Sequence, residues 1–157
     1  MVGDAAALDP LGPFDFVVGM HLLGYAASRD ALVQMGKSVA RNVRPGGRFI
    51  TEILHPEVSR TPGYYRKYGI EYFLADDLRD GDEVGFSLHL GNTTTPRLTA
   101  IYWTLDTVAS ALAEAGLADL RRVNPELSPQ GRTQYGTAFW DDFMRKLPHL
   151  FLDCTKP

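Results

Sequence analysis

FDFVVGM at residues 14–20 and RFITEIL at residues 48–54 are the two stretches on which the fold turns. Each is a short apolar run rich in aromatic and β-branched residues, the pattern of a strand covered on both faces. Between them, Ser28 is placed to cap a helix, Asp30 falls in its first turn, and Leu32, Met35, Val39 and Val43 recur at helical spacing. Arg41 and Arg44 complement the C-terminal end of that helix, and Pro45-Gly46-Gly47 stops it. Strand, helix, strand over residues 14–54 predicts a βαβ unit with parallel neighbours and a right-handed crossover.

Outward from this unit, residues 56–82 are rich in Tyr, Gly, Pro and charge and read as an irregular or partly helical excursion. Val84–Leu90 and Leu98–Trp103 flank Gly91-Asn92-Thr93 and predict an antiparallel hairpin. Thr104 caps a helix that carries Leu105, Val108, Ala109, Leu112 and Ala115 on one face and ends at Gly116. A strand at Leu120–Val123, a short helix near Ala138–Arg145 and a strand at Leu150–Cys154 close the chain. The predicted order is β, α, β, excursion, α, β, loop, β.

With 157 residues, 45% hydrophobic and 22% charged, the chain fits one ordinary domain with a real core. A net charge of −3 without a basic run argues against a nucleic-acid partner. The single cysteine, Cys154, excludes an intrachain disulfide. The longest apolar stretch, Phe14–Ala27, carries Asp15 and His21 and is too short to span a bilayer. Without a secretory pattern at the N-terminus, the expected compartment is the cytoplasm.

In order and spacing, FDFVVGMHLLGYA (14–26), RPGGRFI (44–50) and WTLDTVASALAEAGL (103–117) resemble the second half of the class I S-adenosylmethionine-dependent methyltransferase pattern. The tail, QYGTAFWDDFMRKLPHLFLDCTKP (134–157), is similar to the ends of small-molecule N-methyltransferases of the toxoflavin-biosynthesis type. The family's glycine-rich turn after its first strand and its acidic residue after the second have no counterpart in this sequence. The resemblance therefore implies a single domain over 1–157 with a partial Rossmann-like methyltransferase fold. That fold is a mostly parallel sheet with an antiparallel terminal strand, its first βαβ half missing.

The same resemblance implies S-adenosylmethionine as cofactor and methyl transfer to N or O of a small molecule. VGDA (2–5) is similar to the family segment that holds adenine, which gives Asp4 and the Ala5 amide that role, while Gly19, Met20 and His21 fall near the cofactor's methionine side. Ligands of open α/β sheets bind beyond the carboxyl ends of parallel strands, where His21 and His55 both fall. His55 is the first candidate for the base that takes the acceptor's proton, with Glu52 on the same strand beside it. A strand-end histidine that only bonds backbone is the other reading. Tyr64, Tyr65, Tyr68, Tyr72, Tyr102 and Trp103 fall in regions that form part of a lid over the acceptor in the family, and Tyr25 is a further substrate-binding candidate; packing is the favoured reading of any single one, and a pocket that of the group. His89 and His149 read as peripheral. No metal is expected, because no His, Cys, Asp and Glu set stands at ligand spacing.

Two other readings stay open. One is a catalytically inactive remnant of the fold that acts as a binding or self-associating module; the other is a nicotinamide enzyme, which also needs a glycine fingerprint. A central apolar strand without its neighbour has an unpaired edge, so a homodimer or a complementing chain over Phe14–Leu22 is expected.

Overall fold

The computed structural model describes residues 3–157; Val2 of the VGDA string lies outside the described residues. One sheet has the order β1-β2-β8-β7, built from β1 (Phe14–Gly19), β2 (Val43–Leu54), β7 (Ala118–Val123) and β8 (His149–Thr155). Helices α1 (Arg29–Asn42) and α2 (Leu105–Glu114) pack on one of its faces. A second, smaller sheet joins β3 (Ile70–Phe73), β4 (Glu83–Leu90) and β6 (Leu98–Ile101), with β5 (Thr93–Thr94) closing a short hairpin onto the end of β4. Short helices α3 (Pro129–Tyr135) and α4 (Thr137–Arg145) lie between β7 and β8.

The βαβ unit forms as its sequence predicts. Strands β1 and β2 are parallel, with Val17 opposite Phe49 and Gly19 opposite Thr51. The Ser28 hydroxyl accepts the Ala31 N–H at 3.1 Å and starts α1, and Leu32, Met35 and Val39 are buried against Phe49 and Leu152. Val43 ends the helix and opens β2, so Pro45-Gly46-Gly47 is a bend inside the strand and not a turn before it. Gly46 takes φ +72° and donates its N–H to the Lys156 carbonyl at 2.8 Å. At Gly47 a Cβ would sit 3.0 Å from the Asp15 carbonyl. Both positions need glycine for a geometric reason.

One expectation is met and one is corrected. Strands β1, β2 and β7 share a direction and the terminal strand β8 runs against both β2 and β7, the mostly parallel sheet with an antiparallel terminal strand that was expected. The chain leaves β7, returns through α3 and α4, and inserts β8 between β2 and β7. Strand β1, however, is not covered on both faces. Pairing with β2 sets Phe16 and Val18 opposite Arg48 and Ile50, away from α1 and α2, and they are 57% and 60% exposed.

The expected hairpin forms with Val84 opposite Ala100 and Phe86 opposite Leu98. Strand β3, inside the predicted excursion, pairs with the other edge of β4 and places Ile70 opposite Leu88 and Tyr72 opposite Phe86. These registers put Ile70, Tyr72, Val84, Phe86, Leu88, Leu98 and Ala100 on one face. Among the described residues no helix is long and apolar enough to cross a membrane.

Thr104 caps α2 and Gly116 ends it at φ +89°, both as predicted. The two helices touch where Gly36 of α1 meets Ala115: a Cβ on Gly36 would stand 2.8 Å from the Ala115 Cβ. Neither methyl could rotate away. Gly36→Val is expected to cost about 1–3 kcal/mol through overpacking, despite the better helix propensity of valine, and denaturant unfolding measures the loss.

Candidate functional site

The apolar face of the second sheet looks across at the end of the first sheet and encloses a cavity of about 330 Å³. Its floor is Glu52 and Leu54 of β2 with His149 of β8, and its mouth is the loop after β1 with His21, Gly24 and Tyr25. Leu54 pairs with His149, so Glu52, two residues before Leu54, shares their face of the sheet. The lid wall is Tyr72, Phe86, Leu88, Leu98 and Ala100. This is the carboxyl-end position at which open α/β sheets bind ligands, and the volume suits a small molecule.

Four polar side chains converge in this apolar setting. Glu52, only 4% exposed, has Oε1 2.9 Å from His21 Nδ1 and Oε2 3.3 Å from His149 Nδ1. The His149 Nε2 lies 3.0 Å from the Tyr72 hydroxyl. Oε1 of Glu52 makes no aligned hydrogen bond among the described residues, so the 2.9 Å approach of His21 is a close contact and not a directed bond. Burial raises the Glu52 carboxyl above its usual range, a shift that His21 partly opposes. Burial pushes the His149 imidazole down to about 4, with His21 adding in the same direction, so His149 is neutral at pH 7. Burial and the nearby Glu52 charge also raise the Tyr72 hydroxyl. His21 itself holds a left-handed backbone, φ +51°, uncommon outside glycine.

Of the residues singled out in the sequence, the cavity gathers His21, Glu52, Tyr25 and Tyr72. His55 stands apart from its lining: its Nδ1 accepts the Glu57 N–H at 3.0 Å and its own N–H donates to the Pro148 carbonyl at 2.8 Å. Burial lowers its pKa, but its ring is committed to a local turn. Tyr64 and Tyr65 donate their hydroxyls to the carbonyls of Asp142 and Lys146, so they fasten the excursion to α4 and do not line the cavity. Trp103 is buried with its indole N–H on the Ala26 carbonyl, and Tyr102 is buried beside it. Gly19 packs tightly on the Phe49 ring, Met20 is exposed, and Asp4 caps the single turn Ala5–Ala7 by accepting the Ala6 N–H.

His149, read as peripheral, lies at the centre. Only the antiparallel register of β8 on β2 brings it to Glu52, and no spacing in the sequence encodes that register. The same folding assembles His21, Glu52 and His149 into a group whose ligand atoms all lie within 4.8 Å of one another, although they stand far apart along the chain.

The raised Glu52 pKa has a sign. The folded chain holds this proton more tightly than the unfolded chain, so stability falls as pH rises through the raised value. Glu52→Gln removes the buried charge. Its thermal midpoint is expected to exceed the parent's at pH 7–8, and the gain to vanish below the ordinary glutamate value of about 4.3; a pH series of melting curves measures it.

No family model matches the sequence, and no curated protein does. Solved structures do. An S-adenosylmethionine-dependent methyltransferase from Clostridium acetobutylicum aligns with 99% of this chain and 63% of its own, at 14% identity and TM-score 0.57. The CcbJ methyltransferase from Streptomyces caelestis aligns with 99% and 62%, at 13% identity and TM-score 0.58. The sugar N-methyltransferase KedS8 from Streptoalloteichus aligns with 99% and 61%, at 16% identity and TM-score 0.52. The chain thus spans under two thirds of the length of each, and throughout its own length it has the fold of S-adenosylmethionine-dependent methyltransferases.

Proposed function

We propose that this chain is the acceptor-binding portion of an S-adenosylmethionine-dependent methyltransferase acting on N or O of a small molecule. The observation that carries the reading is the enclosed apolar cavity at the strand ends, with a buried carboxylate and a neutral imidazole facing into it. S-adenosylmethionine, when bound, supplies the methyl group. The residues in hand fit that cofactor only in part. The Asp4 carboxylate has adenine-type acceptor chemistry but already caps a turn, and among the described residues no glycine-rich loop joins a strand to a helix N-terminus.

This chain's own contribution is to the acceptor. Phe86, Leu88 and Leu98 wall a planar molecule and exclude water, which strengthens polar interactions inside. Glu52 and neutral His149 are placed to take a proton from an acceptor N–H or O–H. Tyr72 fixes the His149 ring. The base role passes from His55 to this pair because His55 does not face the cavity.

A non-catalytic binding module is the second reading, favoured by the same absence of a glycine-rich turn among the described residues. Calorimetry with S-adenosylmethionine separates them: saturable binding near about 10⁻⁵ M supports the enzyme, and no heat at about 10⁻³ M supports the module. In a form that turns over, Glu52→Gln or His149→Asn is expected to lower kcat by about 10²–10⁴-fold, with His55→Gln close to the parent. The reverse ranking would return the role to His55.

The open edge of β1 and its exposed row Phe14, Phe16 and Val18 support a further proposal, that the isolated chain associates with a second copy or a complementing chain through this strand. Light scattering of the isolated chain is expected to show at least two chains, reduced to one by Phe16→Lys with Val18→Lys. A parent that runs as a single chain would refute self-association.

A further inference from the structure

His21 follows β1, Glu52 lies in β2 and His149 opens β8, yet their Nδ1, carboxylate and Nδ1 atoms meet at one point of the cavity floor. The two closest approaches are 2.9 and 3.3 Å, and no pair of ligand atoms exceeds 4.8 Å. In a tetrahedral site with bonds of about 2.0–2.2 Å, neighbouring ligand atoms stand about 3.3–3.6 Å apart. Small side-chain rotations bring this set to that spacing. We propose that His21, Glu52 and His149 bind one first-row divalent transition-metal ion, with an open coordination position facing the cavity.

Three independent features point to a cation. Glu52 is 96% buried by its 4% exposure, and its Oε1 has no aligned hydrogen-bond donor among the described residues, so a buried anion lacks the partner that burial demands. His149 Nε2 is 3.0 Å from the Tyr72 hydroxyl, the outer contact by which metal-binding histidines are oriented. A cation at this point would select the tautomer in which His149 donates Nε2–H to that oxygen and turns the Nδ1 lone pair toward the ion. The His21 side chain is 66% exposed and gives the ion a way in.

Two imidazoles and one carboxylate select zinc, cobalt, nickel or ferrous iron over magnesium or calcium, which prefer all-oxygen shells. Three protein ligands leave a place for an oxygen or nitrogen of the molecule in the cavity. An acceptor hydroxyl held there would be made more acidic by the ion as a Lewis acid, and its proton would pass to solvent at the exposed His21 side of the cavity, since Glu52 and His149 would have their lone pairs on the ion. The site stands on geometry alone and does not depend on methyl transfer.

The test is titration of the untagged, chelator-treated chain with zinc chloride, by calorimetry and by competition with a chromogenic chelator, beside cobalt(II) absorption spectra. One equivalent is expected to bind with a Kd of about 10⁻⁶ M or tighter, and cobalt to give the intense visible bands of a low-coordinate site. His21→Ala, at an exposed position outside the core, and Glu52→Gln are expected to weaken zinc at least about 10-fold, and Tyr72→Phe, which keeps all three ligands, by about 10-fold. His89→Asn is expected to bind as the parent does. Absence of one-equivalent binding would overturn the proposal, as would parent-like affinity in both His21→Ala and Tyr72→Phe. Neither result bears on S-adenosylmethionine binding, which calorimetry with that ligand reads separately.

Discussion

Strand β2 is the element on which everything else is hung. Its twelve residues pair in parallel with β1 on one side and antiparallel with β8 on the other, and its alternation divides the molecule. Phe49, Thr51 and Ile53 face α1 and α2, while Arg48, Ile50, Glu52 and Leu54 point the opposite way. The period of two thus puts a carboxylate on the far side of the sheet from the helices, where the second sheet closes over it. Shifting the register by one residue would turn Glu52 toward the helical core and Phe49 away from it.

The desolvation of Glu52 follows from this placement. A carboxylate in such surroundings costs stability unless something binds it, and buried polar groups of this kind concentrate at functional sites. The two histidines do not fully neutralise it: burial keeps His149 uncharged near neutrality, and the approach of His21 is not an aligned hydrogen bond. The molecule tolerates a local defect in an otherwise well-filled interior, with Leu32, Val43, Val108 and Leu152 at 0% exposure.

Much of the architecture was legible because local chemistry set it. Ser28 and Thr104 cap their helices, Gly116 ends α2, and the apolar runs at 14–20 and 48–54 became neighbouring parallel strands, since each signal acts within a few residues. Signals that act across the chain were not legible. Strand β3 hid in a Tyr- and Gly-rich stretch because its apolar face shows only once β4 lies beside it. The register of β8 on β2 depended on where α3 and α4 returned the chain. In the site, Glu52, His21 and Tyr72 were found from strand ends and aromatic density, whereas His149 needed the β2–β8 register. His55 was misplaced by a single residue: Leu54 is the last of the strand, and the chain turns immediately after it, carrying the ring away.

The three tyrosines of the excursion have a mechanical consequence. Tyr64, Tyr65 and Tyr68 donate their hydroxyls to the carbonyls of Asp142, Lys146 and Phe139, and Tyr68 also accepts the Phe143 N–H. Since Tyr68 leads directly into β3, the far wall of the cavity and helix α4 are riveted into one body. Lifting that wall would break several hydrogen bonds together and strip an aromatic stack, Tyr68 on Trp140. Traffic into the cavity therefore passes on the opposite side, through the short loop of His21 and Tyr25, whose side chains already meet the solvent.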